Sequence, residues 1–161
     1  MNIKLAENFR AVFYAPFYAT HALGLFAKEG LSITLLDSPS PGAGIAELAK
    51  GNIDVMWGGP LRVIKERDQQ PRNGSSLVAF CEVAAKDPFF LVGKSDPSTF
   101  QLSDLLKLKF ASVSEVPTPW LCLQEDLRDA GVDPNAIDRI PDKLMQENVR
   151  ALLKGELDVA Q

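Results

Sequence analysis

The residues able to do chemistry in this chain are few, and most of them point to binding rather than bond-breaking. His21 is the only histidine. It falls in a helical stretch three residues after Tyr18, and the sequence names no acid to orient it as a general base. It reads as a surface or capping histidine. Cys81 and Cys122 lie outside any CxxC pattern, so no metal centre is expected, and both read as buried thiols. No catalytic residue and no cofactor is assigned. What remains is glycine and aromatic side chains at strategic spacings. Pro41-Gly42-Ala43-Gly44 and Trp57-Gly58-Gly59-Pro60 let a ligand approach the backbone closely, and each leads into a helix whose first N–H groups favour an anion or a polar oxygen. Neither is a phosphate loop, because no GK[ST] follows. Tyr14, Phe17, Tyr18 and Trp57 could supply stacking surfaces, although helix spacing sends at least one of the first three into the core.

Positioning these residues requires strands that alternate with helices. Residues 2–9 suit a strand. Pro16 opens an amphipathic stretch, PFYATHALGLFAKEG, that reads as one helix of about four turns stopped by Gly30. LSITLLD is a second strand, 38–42 a Pro/Gly/Ser loop, GIAELAKG a short helix, and IDVMW a third strand. LRVIKERD is helical and 69–76 a surface turn, and LVAFCEVAAKDPFFLVGK gives two strand-like runs. LSDLLKL, with Ser103 as N-cap, KFASVS, the helix from Thr118 and Pro119 to Gly131, NAIDRIP as a strand, KLMQENVRALLKG and ELDVAQ continue the rhythm. The pattern predicts an α/β fold with mainly parallel sheets. In such sheets ligands sit beyond the carboxyl ends of the strands. The candidate ligand-binding residues are therefore Tyr14, Phe17, Tyr18, Ser40, Gly42, Gly44, Trp57, Gly58 and Gly59 in the first half. In the second half they are Ser114, Glu115 and Thr118, beside Ser112, with ordinary capping as the competing role.

Composition sets the outer limits. Of 161 residues, 46% are hydrophobic and 24% charged, as in a globular protein, and the net charge of −4 argues against nucleic acid as a partner. No apolar run is long enough to span a bilayer.

One unit nearly repeats. Residues 45–57 and 149–161 share Leu48/Leu152, Lys50/Lys154, Gly51/Gly155, Asp54/Asp158 and Val55/Val159. Any helix that ends on glycine and turns into a parallel strand looks somewhat like this; alternatively, each half contains the same helix–turn–strand device. APFYATHALGLFAKEGLSITLL, followed by IAELAKGNIDVMWGG, resembles the start of a type II periplasmic solute-binding protein, in the branch of the sulfonate, taurine and nitrate receptors and the thiamine-pathway pyrimidine-precursor proteins. The shared pattern is carried by Pro16, Phe17, Tyr18, Gly24, Phe26, Glu29, Gly30, Leu31, Leu48, Gly51, Ile53 and Asp54, with Thr20 where the pattern has Ala.

The resemblance implies two lobes, residues 1–86 and 87–161, the second incomplete, closing on a small polar or anionic solute. It also implies an importer's membrane permease as partner. The family chain is about twice as long, so truncation is expected, and with it a dimer or a swapped assembly. The precursor synthases carry a Lys and a His after the third strand. Here Trp57–Val63 holds neither, so that chemistry is not implied. A cytoplasmic enzyme on the same fold and a protein-binding fragment stay open. The chain is expected to be periplasmic if a leader was removed and cytoplasmic otherwise.

Overall fold

A computed structural model describes residues 1–37, 42–69, 77–94, 96, 98–141 and 143–161. The chain divides into two units, Met1–Pro88 and Phe89–Gln161.

In the first unit β1 (Asn2–Ala6) is the central strand of a parallel sheet ordered β2-β1-β3. It pairs along its whole length with β2 (Ser32–Leu36), from Asn2↔Ser32 to Ala6↔Leu36. On its other side Leu5 and Ala6 face Val55 and Met56 of β3. Leu5, Ala6, Ile53, Trp57 and Leu77 are its buried apolar residues. The helix expected to run unbroken from Pro16 to Gly30 is two helices, α1 (Ala15–Ala22) and α2 (Leu25–Lys28). Gly24 separates them at φ 65°, a left-handed conformation that glycine adopts without strain and that ends the α-helical ladder. Two further helices follow, α3 (Ala43–Ala49) and α4 (Pro60–Gln69).

In the second unit β6 (Val159–Ala160) lies between β5 (Phe110–Ala111), parallel to it, and β4 (Val92–Gly93), antiparallel. α5 (Thr118–Asp129) and α6 (Met145–Lys154) cover the sheet. Leu105, Phe110, Leu123, Leu127, Val132, Ile137 and Val159 form one buried cluster, and Ala111, Ala151, Leu152, Leu157 and Ala160 a second.

Several expected elements differ. Of the two strand-like runs over 77–94, only Val92–Gly93 pairs; residues 77–83 are in no strand among the described residues. Cys81 is consequently exposed, since strand alternation buries a side chain only when a sheet exists to bury it against. Cys122 is exposed too, on the outer face of α5, whose buried residues are Pro119, Leu123 and Leu127. NAIDRIP is not a strand: the Asp133 side chain accepts the Asn135 N–H at 3.0 Å and winds Pro134–Ala136 into a 3₁₀ turn, leaving one isolated bridge, Phe110↔Arg139. Leu102–Lys107 is a 3₁₀ helix whose N-cap is Gln101, not Ser103, because Asp104 reaches back to the Gln101 N–H at 2.8 Å.

The near-repeat is a structural one. Gly51 and Gly155 sit at φ 76° and 78° after α3 and α6. Each helix closes with the same pair of bonds, Gly51 N–H to Leu48 and Asn52 N–H to Glu47, Gly155 N–H to Leu152 and Glu156 N–H to Ala151. This is the Schellman arrangement. The following aspartate then clamps the neighbouring strand. Asp54 Oδ2 accepts the Lys4 N–H at 2.8 Å while the Asp54 N–H donates to the Lys4 carbonyl at 3.1 Å. Asp158 does the same with Lys109, at 2.8 and 3.0 Å. Each unit therefore uses one device to set strand register.

Candidate ligand-binding site

Because β1 is central, its carboxyl end opens in the middle of the first unit's sheet, between the ends of β2 and β3. Successive side chains there point to opposite faces. Asn8, fully buried, accepts the Gly42 N–H through Oδ1 at 3.3 Å. Its Nδ2 has no acceptor among the described residues. Gly42, at φ 85°, brings the backbone so close to the Arg62 side chain that a Cβ there would lie 3.2 Å from Nη1. The stem of Arg62 passes Gly58, whose Cβ would lie 3.7 Å from Cδ. Burial pushes the guanidinium pKa down and the neighbouring Tyr14 opposes that; burial likewise raises the Tyr14 hydroxyl, with Arg62 opposing. Both keep their protons near neutrality.

Trp57 is 4% exposed and its Nε1 has no acceptor among the described residues. Its ring is stacked on Phe17 at 4.4 Å and 15°, with Tyr14 at 5.7 Å and Tyr18 edge-on at 5.5 Å. Phe9 and Phe13 extend the cluster through Tyr14. The structure thus brings Tyr14, Phe17, Tyr18 and Trp57 together as one aromatic wall. Glu7, also buried, accepts the Tyr18 hydroxyl through Oε2 and Arg10 Nη2 through Oε1 at 3.3 Å. Arg10 also reaches Asp37 at 3.1 Å. Burial first, then the hydrogen bond and charge of Glu7, push the Tyr18 hydroxyl up to about 12.

The glycines behave differently from one another. Gly44 is buried against Met56, so a Cβ there would lie 3.2 Å from Met56 Cε. Gly42 and Gly58 face Arg62 and Met56, which makes them seats for the protein's own side chains. Gly59 accepts the Arg62 N–H at 3.2 Å at the start of α4. Ser40, with the Ser38–Pro41 part of its loop and the 70–76 part of the expected surface turn, lies outside the described residues. His21 is exposed.

In the second unit, Glu115 Oε1 accepts the Met145 N–H at 2.8 Å and so caps α6. Ser114 is exposed with its N–H on the Lys143 carbonyl, and Thr118 opens α5. The polar cluster at the strand ends is built instead from Ser112, Gln161 and Asn148. Ser112 Oγ donates to Gln161 Oε1 at 2.9 Å, Gln161 Nε2 donates to the Pro119 carbonyl at 3.0 Å, and Asn148 Nδ2 donates to the Ser112 carbonyl at 2.8 Å. Sequence reasoning missed Gln161 and Asn148 here, and Glu7, Asn8 and Arg62 in the first unit. The signal for Gln161 was present: the repeat sets it opposite Trp57. The backbone agrees, since the Trp57 N–H donates to Ala6 and the Gln161 N–H to Ala111, the corresponding residue of β5.

A three-stranded parallel sheet with donors at its carboxyl edge, followed in the chain by a second α/β unit, has the fold of a type II periplasmic binding protein. The aliphatic sulphonate binding protein SsuA of Escherichia coli aligns with 99% of this chain and 53% of its own, at TM-score 0.66 and 17% identity. PhnD1 of Prochlorococcus marinus, in complex with methylphosphonate, aligns with 98% of this chain and 62% of its own, at TM-score 0.65 and 16% identity. The family described as NMT1/THI5 like matches residues 12–161, and the chain belongs to it. A Bacillus subtilis binding protein, YtlA, is 23% identical over 133 residues, which is 83% of this chain and 39% of that one. The chain thus spans between 39% and 62% of the length of these relatives.

Proposed function

We propose that the chain is the substrate-binding component of an ABC-type importer, working outside the cytoplasmic membrane, and that the first unit contributes a site for a small organic anion of sulfonate or phosphonate type. The observation that carries this reading is a pair of buried side-chain donors at the carboxyl ends of β1 and β3. Among the described residues neither Asn8 Nδ2 nor Trp57 Nε1, both buried, has an acceptor. Leaving such a donor unmet costs about 1–3 kcal/mol each. The donor-only Arg62 guanidinium stands at Gly42, whose N–H is held by Asn8 Oδ1. An acceptor-rich, negatively charged ligand meets both donors and suits the Arg62 charge, and the wall of Tyr14, Phe17 and Trp57 suits its organic part. Methylphosphonate, held by PhnD1 in its complex, has this chemistry.

Isothermal titration with methylphosphonate and with MOPS, against arginine and histidine as controls, tests the reading. The expected result is binding of an anion that weakens about tenfold or more in Arg62→Ala, the loss of one charge-assisted bond. Binding of the amino acids alone, or anion binding indifferent to Arg62→Ala, overturns it.

A further inference from the structure

Helix α1 carries half of the aromatic wall, yet it has no buried residue of its own. Phe17 and Tyr18 are only partly covered, so burial alone does not fix how α1 meets Trp57. One buried polar contact does bear on it. Glu7 is 6% exposed, on the last turn of chain leaving β1, and one carboxylate oxygen holds the Tyr18 hydroxyl. A buried carboxylate is tolerated only where donors satisfy it. Its other partner among the described residues, Arg10, has a side chain 69% exposed, and an ion pair so open to water contributes little. The Tyr18 hydroxyl is therefore the contact that keeps Glu7 buried, and in return Glu7 fixes the helix that presents Tyr18 and Phe17.

We infer that Glu7 is a positioning residue for the binding face: through Tyr18 it sets the distance of α1 from β3 and so the placement of Phe17 and Tyr18 against Trp57. The chain of contacts is short. Glu7 holds Tyr18, Tyr18 stands edge-on to Trp57 at 5.5 Å, and Phe17, one residue earlier, stacks on the same indole at 4.4 Å. Arg10, over the Tyr18 ring at 5.6 Å and paired with Asp37 just past β2, closes the loop on its solvent side. Its functional consequence rests on this face being the ligand site, but the placement itself does not.

The test needs no ligand. In a Trp120→Phe background Trp57 is the single tryptophan, and acrylamide quenching reads how well α1 shields it. Tyr18→Phe and Glu7→Ala should each raise the quenching constant about twofold, as α1 opens locally without global unfolding. The double variant should match either single one, because both cut the same link. Glu7→Gln, which keeps a carbonyl to accept the Tyr18 hydroxyl, should restore the shielding. Should Glu7→Ala fail to fold, Tyr18→Phe and Glu7→Gln still decide. Wild-type shielding in Tyr18→Phe, additive effects in the double variant, or no rescue by Gln would overturn the inference. A failure here leaves the anion titration untouched, and the reverse is equally true.

Discussion

Two glycines of the first unit share a backbone conformation but not a neighbourhood, and the difference isolates the role of Arg62. Gly42 is at φ 85° and Gly51 at φ 76°. Alanine in the left-handed region costs about 1–2 kcal/mol at either position. A Cβ on Gly51 meets nothing within 4 Å, whereas a Cβ on Gly42 lies 3.2 Å from Arg62 Nη1, so the guanidinium has to give way by a few tenths of an ångström. Gly42→Ala and Gly51→Ala should therefore lose similar stability in urea unfolding followed at Trp57. Only Gly42→Ala should also bind methylphosphonate more weakly. A partial loss of one charge-assisted hydrogen bond, about 1 kcal/mol, gives about a fivefold rise in Kd. Equal loss of affinity in both variants would mean that strain in the loop frame, and not the Arg62 contact, controls binding. Unchanged affinity in Gly42→Ala would remove Arg62 from the site.

Tyr18 gives a pH signature. Its hydroxyl is raised from 10.0 to about 12 in the folded chain, so the folded state keeps this proton longer than the unfolded one. That stability is complete below pH 10 and is lost as pH rises towards 12. The stability difference between wild type and Tyr18→Phe should shrink across that window, and a difference that stays constant by denaturant titration would contradict the shift. The duplicated clamp gives another test. Asp54→Ala and Asp158→Ala each remove one acceptor from a strand N–H, and each should cost about 1 kcal/mol. Unfolding read at Trp57 for the first unit and Trp120 for the second checks this, and a cost at one site only would break the equivalence.

The fold was legible where a local rule has one outcome. Glycine after a helix was readable at 48–51 and 152–155 because the cap is local, whereas the aspartate clamps reach Lys4 and Lys109, far away in the chain. The alternation in LVAFCEVA was equally clear, yet no strand forms at 77–83, since pairing depends on a neighbour that local sequence does not announce. Gly24 illustrates the opposite error. A helical hydrophobic pattern ran through it, and the backbone freedom of one glycine broke the helix. At the site, aromatic residues clustered in sequence did cluster in space. Glu7, Asn8 and Arg62 stayed hidden because charged and amide residues at loop edges look like solvated surface until burial is known.

The duplicated frame makes the differences between units more informative than their likeness. Once Lys4–Asp54 and Lys109–Asp158 fix the same register, every later position has a counterpart. Trp57 corresponds to Gln161, Glu7 to Ser112, and Gly44 to Asn148. The last correspondence has a spatial check. A Cβ on Gly44 would lie 4.0 Å from the Glu7 carbonyl, and the Asn148 side chain donates to the carbonyl of Ser112. In the first unit these seats hold an indole, a buried carboxylate and a bare backbone. In the second they hold an amide, a hydroxyl and another amide, tied to one another and to the Pro119 carbonyl. The frame is thus indifferent to what stands at its carboxyl edge, because the clamp and cap that set register lie at the opposite end of the strands. Residues at that edge can change from aromatic to polar without disturbing the sheet, which is the physical condition for one fold to serve many ligands.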